Sequence, residues 1–111
     1  MNVHQTDLST LSLEAILDEV VRHRADLQRL GVRTLGLFGS FRRGTPHAGS
    51  DLDFLVTLQR PSFDAYMDIK FFLQELFGRQ VDLVLENSLK PRLRPRILAE
   101  VVYAEGLAPL S

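Results

Sequence analysis

The chain has 111 residues, of which 45% are hydrophobic and 24% charged, with a formal net charge of −1 and no cysteine. That length suits one domain with one core, and the composition is that of a folded globular protein rather than a disordered one. The near-neutral charge speaks against a protein that grips nucleic acid by bulk electrostatics, so no stable nucleic-acid binding is expected, while the missing thiols exclude disulfides, thiolate nucleophiles and Cys-ligated zinc and fit a cytoplasmic protein.

Residues 1–11 are polar and unpatterned and read as a loose lead-in to a single domain over 12–111. Asp7, Glu14 and Asp18 fall where a secretory signal would need an apolar block, so no export signal is read. No run anywhere approaches ~20 apolar residues, so no membrane span is expected. Ser12 can cap a helix whose apolar positions Leu13, Ile16, Leu17, Val20, Leu27 and Leu30 mostly follow the spacing of one buried face. Glu14 and Asp18 toward its start and Arg29 near its end suit the helix dipole, and Gly31 stops it.

Val32 to Phe38 reads as a short strand, followed by Gly39–Ser40 and a polar stretch from Phe41 to Ser50 that contains Gly and Pro. Asp51 to Leu58 is a second strand, with Leu52, Phe54, Val56 and Leu58 on one face and Asp51 and Asp53 on the other. Pro61 ends it. Ser62 can cap a second long helix running to about Phe77, which Gly78 terminates. Gln80 to Leu85 is a third strand that places Asp82 opposite Val81, Leu83 and Leu85. Pro95 suits the first turn of a last helix, which Gly106 is expected to end. Helix, strand, strand, helix, strand, helix is the order of one layered α/β domain.

Chemistry concentrates between Gly39 and Asp53 and at Asp82. Two carboxylates two apart on a strand share a face, with Cβ atoms roughly 7 Å apart. Alone they repel, which favours protonating one of them; a hard divalent cation such as Mg²⁺ removes the conflict, usually alongside substrate phosphates. Gly39 permits a turn and a close backbone approach, and the Ser40 hydroxyl with the following N–H groups can bind phosphate oxygens. Arg42 and Arg43 come next and can offset triphosphate charge, or can be solvated surface arginines. Asp82 lies in the apolar run Val81–Leu85, where a buried unpaired carboxylate would be costly. Either its face is open to water, or it completes a metal site from an adjacent strand.

The pattern Gly39-Ser40, ten residues from Phe41 through Ser50, then Asp51-Leu52-Asp53, resembles that of the DNA polymerase β-like nucleotidyltransferase superfamily. More closely the chain is similar to the minimal nucleotidyltransferases (MNT) found as antitoxins of HEPN/MNT toxin–antitoxin pairs. Arg43–Gly44, Ser50-Asp51-Leu52-Asp53, Val81-Asp82-Leu83-Val84 and the closing segment Pro95 to Glu100 carry the likeness, over roughly residues 12 to 106. It implies the polymerase β-like α/β fold, a small mixed sheet flanked by helices. It further implies that Gly39, Ser40 and Ser50 contact the nucleotide, with Arg43 the charged partner of the triphosphate. Asp51 and Asp53 would ligate two Mg²⁺ ions, and Asp82 the ion nearest the acceptor. ATP would be the nucleotide donor, and the acceptor a tyrosine hydroxyl on a HEPN ribonuclease toxin, inactivated by adenylylation. With few residues beyond the catalytic fold, much of the acceptor-binding surface is expected to come from the acceptor itself.

Other readings weigh less. Arg42 and His47 match an Arg-x4-His spacing used by helical HEPN ribonucleases, but Gly44 and Pro46 between them break any helix. His4 and His23 have no partner at ligand spacing and read as surface. No Gly-x4-Gly-Lys-Ser/Thr loop exists. Lys90, Arg92, Arg94 and Arg96 form a basic run that is either a solvated turn or a contact for nucleotide or an acidic partner. Phe71 and Phe72, adjacent on one helix, cannot share a face well, so one of them is available to a partner. A small-molecule nucleotidyltransferase lacks a second substrate-binding domain here, and a non-catalytic antitoxin acting by contact alone would not need Asp51, Asp53 and Asp82 intact.

Overall fold

The structure, a computed structural model, describes residues 11–47 and 49–110. His4 and nearly all of the lead-in lie outside the described residues. Helix α1 (Leu13–Arg22) starts as the sequence predicts, with the Ser12 hydroxyl accepting from the Ala15 N–H at 3.0 Å. The single helix expected up to Gly31 is instead two, with α2 spanning Arg24–Arg29. His23 causes the break. Its Nδ1 lies 3.0 Å from the Glu19 carbonyl, the acceptor its own N–H would use in a continuous helix, and that N–H turns to the Val20 carbonyl at 3.0 Å. His23 is also half-buried, with its ring edge-on to Phe72 at 5.9 Å, so the surface assignment of this residue is corrected.

Strand β1 (Val32–Phe38) leads directly into the short helix α3 (Gly39–Arg43), and β2 (Leu52–Leu58) follows the loop. Helix α4 (Phe63–Phe77) is capped by Ser62, which accepts from Ala65 N–H at 3.0 Å, and ended by Gly78 at φ 63°. Strand β3 (Val81–Leu85), a single 3-10 turn at Glu86–Ser88, helix α5 (Arg94–Glu100) and strand β4 (Val102–Tyr103) complete the described order. The sheet runs β3-β2-β1-β4, with β1 antiparallel to β2 and β4 and β2 parallel to β3. It is therefore mixed and flanked by helices, as the resemblance implied.

The core occupies one face. Leu35 and Leu37 pair with Val56 and Phe54, and Leu52, Phe54 and Val56 pair with Val81, Leu83 and Leu85. Ile16, Val20, Leu27, Ile69, Leu73 and Phe77 pack with these strands in one cluster. Phe72 packs against that cluster while Phe71 is 56% exposed, which divides the adjacent pair as helical geometry requires.

The last helix ends at Glu100, not near Gly106. Val101 is extended (φ −63°, ψ 140°), and Val102 and Tyr103 pair with Leu37 and Gly36. A β-branched and aromatic run gains more as an edge strand than as a further helical turn. Gly36 makes room for it, since a Cβ there would stand 2.6 Å from a Val101 methyl and 3.0 Å from the Tyr103 ring. Helix α5 is pinned at both ends: Arg94 donates to the Glu86 carbonyl and carboxylate, and the backbone carbonyl of Glu100 accepts from Arg42 Nε at 2.7 Å.

Candidate active site

The face opposite the core carries the acidic residues. Alternation along β2 sends Leu52 and Phe54 inward and Asp53 outward, and the register sets Asp53 between Phe38 of β1 and Asp82 of β3. Paired residues on neighbouring strands point to the same side, so Asp53 and Asp82 stand side by side. Asp51, just before β2, precedes Asp53 by two residues on the same alternation. Asp51 and Asp82 are exposed and Asp53 is half-buried. The open alternative for Asp82, a face in contact with water, and the metal-site alternative are thus compatible.

Gly39 closes the site from the β1 side. Its φ is +80°, and a side chain there would overlap the Asp53 carboxylate, with the Asp53 Cγ 2.8 Å from the added carbon. Only glycine lets the chain turn this close to that carboxylate. Ser40 follows, half-buried in α3. Arg43 donates to Glu100 Oε1 at 2.9 Å, whereas Arg42 is spent on the Glu100 carbonyl. That separates the two arginines: Arg42 anchors α5, and Arg43 reaches the acidic face. Ser50 is buried and accepts from the His47 N–H at 2.9 Å, a contact that folds the loop back so that Asp51 enters β2 beside Asp53. Arg94 leaves the basic run for Glu86, while Lys90, Arg92 and Arg96 are exposed.

Electrostatics follow from this placement. The Asp53 pKa is pushed up from 3.8 to about 6, first by burial, then by the charges of Asp82 and Asp51, with Arg43 opposing and Glu100 adding to the rise. Burial and the charge of Asp82 also raise the Tyr66 hydroxyl. For Glu100, burial pushes the carboxyl upward, but the Gly39 N–H at 2.6 Å and the Arg43 guanidinium outweigh it and hold it below its usual range.

Among the described residues, no three carboxylates or imidazoles close on a common point tightly enough to cage an ion unaided. Asp51, Asp53 and Asp82, expected from sequence to hold Mg²⁺ alongside substrate phosphates, do not cage an ion by themselves. The donor set nevertheless fits a hard divalent cation, offering carboxylate oxygens alone on a face with excess negative charge. Mg²⁺ is ordinarily held by one or two carboxylates together with substrate phosphates and water, not by an all-protein cage.

Sequence reasoning missed Glu100. A signal existed, because an acid at the last position of a helix opposes the helix dipole and so needs a reason to be there. Its reason is the Gly39 N–H and Arg43.

The nucleotidyltransferase domain model matches residues 17–104. The protein adenylyltransferase MntA of Thermococcus cleftensis is 39% identical over 98 residues, covering 86% of this chain and 99% of that one. A solved minimal nucleotidyltransferase structure aligns with a TM-score of 0.71 at 33% identity, over 92% of this chain and 99% of that one. The fold also matches, at 18% identity and a TM-score of 0.60 over 85% and 72% of the two chains, a structure of a tri-AMPylated Shewanella oneidensis HEPN toxin in complex with MNT antitoxin. No helix among the described residues is long and apolar enough to cross a membrane. With its motif residues gathered on one sheet face and the domain match spanning most of its length, the chain belongs to the polymerase β-like nucleotidyltransferase family, as one of its minimal, MntA-type enzymes.

Proposed function

We propose that the protein transfers AMP from ATP to a tyrosine hydroxyl of a HEPN-domain ribonuclease toxin and so neutralises it. The observation that carries this reading is the side-by-side pairing of Asp53 and Asp82, with the Gly39 turn packed against the Asp53 carboxylate. Similarity to the thermococcal protein adenylyltransferase supports a protein acceptor, and the fold shared with an MNT antitoxin bound to an AMPylated HEPN toxin supports its class.

In this reading Asp51 and Asp53 would hold two Mg²⁺ ions, and Asp82 would contribute to the one on the acceptor side. Bound there, Mg²⁺ supplies Lewis acidity to the acceptor hydroxyl and to the phosphate oxygens. Gly39 and Ser40 form the turn beside the phosphates, Ser50 adds a contact from the loop before β2, and Arg43 offsets the phosphate charge. The bond made joins the acceptor oxygen to the α-phosphorus, the bond broken joins that phosphorus to the bridging oxygen, and pyrophosphate departs. The hydroxyl proton passes to solvent over the open Asp82 side. Asp51 and Asp82 are exposed, so a folded partner can present a tyrosine without entering a deep cleft.

Intact-mass spectrometry of a candidate HEPN toxin incubated with ATP and Mg²⁺ tests this. Wild type should add one or more AMP masses, and Asp51→Asn and Asp53→Asn should add none while remaining folded. Undiminished transfer by both variants would refute the assignment. Equal protection of cells by wild type and both variants would make neutralisation a matter of contact alone.

A further inference from the structure

The carboxylate of Glu100 bridges the Gly39 turn and Arg43. Its Oε2 accepts from the Gly39 N–H at 2.6 Å and its Oε1 from Arg43 at 2.9 Å. An internal anion thus takes two donors that the proposed function assigns to the triphosphate side of the site. Locally the placement is unfavourable, since Glu100 closes α5, whose carbonyl end repels a negative charge. The backbone at this position does not depend on the side chain, because Arg42 Nε holds the Glu100 carbonyl at 2.7 Å. The carboxylate can therefore leave while the helix stays anchored. Its side chain is 20% exposed, which leaves a way out to solvent.

We propose that Glu100 is an internal competitor for the triphosphate, and that nucleotide binding displaces its carboxylate from the Gly39 N–H and Arg43. This rests on the reading that Gly39 and Arg43 face the phosphates. Charge-assisted hydrogen bonds of this kind are the strong ones, so the competitor sets nucleotide affinity below what the donors alone would give. It also keeps Gly39 and Arg43 satisfied and in position when no nucleotide is present.

Calorimetric titration of α,β-methylene ATP with Mg²⁺ into wild type, Glu100→Gln, Glu100→Asp and Arg43→Ala tests the proposal. Glu100→Gln keeps the shape and an acceptor oxygen but loses the charge, and is predicted to bind about tenfold more tightly, equivalent to about 1.4 kcal/mol. Glu100→Asp keeps the charge on a shorter stem that cannot span both donors, and should also tighten binding. Arg43→Ala should weaken it. Unchanged or weaker binding by both Glu100 variants, with Arg43→Ala still weakened, would overturn the displacement and leave the phosphate reading standing. Wild-type affinity in Arg43→Ala would overturn the phosphate reading, and the proposal with it.

Discussion

Asp53 bears the electrostatic conflict of the acidic face. Burial and the charges of Asp82 and Asp51 raise its pKa to about 6. An unfolded chain ionises this group near 3.8, so between about 4 and about 6 the folded protein binds the extra proton. Stability contributed by the protonated form is therefore complete below that window and is lost as pH rises through about 6. Two consequences are measurable by thermal unfolding. Asp53→Asn without Mg²⁺ should melt above wild type at about pH 7.5 and close to it at about pH 4, because the asparagine carries no charge to desolvate. Added Mg²⁺ with nucleotide should stabilise wild type more at the higher pH, and the variant at neither. A variant that melts below wild type at the higher pH would contradict the account. The Asp pattern was legible because alternation on a strand fixes which side chains share a face. For Glu100 only its conflict with the helix dipole hinted at a role, since its partners lie 57 and 61 residues away and no local periodicity encodes that pairing.

At the scale of elements, the site depends on how the chain returns after α5. Gly36 sits in the interior of β1, where a glycine weakens a strand unless another segment approaches closely. Val101 and Tyr103 are that segment. Gly36→Ala puts a methyl 2.6 Å from the Val101 side chain, and overpacking of this kind costs about 1 to 3 kcal/mol. Chemical denaturation should show a loss in that range. A neutral substitution would mean that β4 does not position this edge. Capped and glycine-terminated elements were readable from sequence: Ser12, Ser62 and Gly78 act where their chemistry predicts. The break at His23 and the strand after Glu100 were not readable. One arises from a side chain competing for a backbone carbonyl, the other from an edge of β1 that only tertiary structure makes available.

For the whole molecule, the division of the sheet is what matters. One face is filled by α1, α2 and α4, and on the other the α5–β4 return covers the Gly36 end while leaving Asp51 and Asp82 exposed. Gly39, β2, β3 and the end of α5 converge because β1 and β2 are antiparallel while β2 and β3 are parallel, which places the end of the first strand beside the starts of the other two. In the proposed function an acidic face so open is completed from outside, by metal, nucleotide and an acceptor surface. Diffraction from crystals grown with Mn²⁺ and α,β-methylene ATP tests this most directly through the anomalous signal of the metal. Manganese peaks within coordination distance of Asp51, Asp53 and Asp82, with the phosphates lying against Gly39 and Ser40, are the predicted result. Manganese bound only by phosphates, or with Asp82 turned away from every peak, would contradict it.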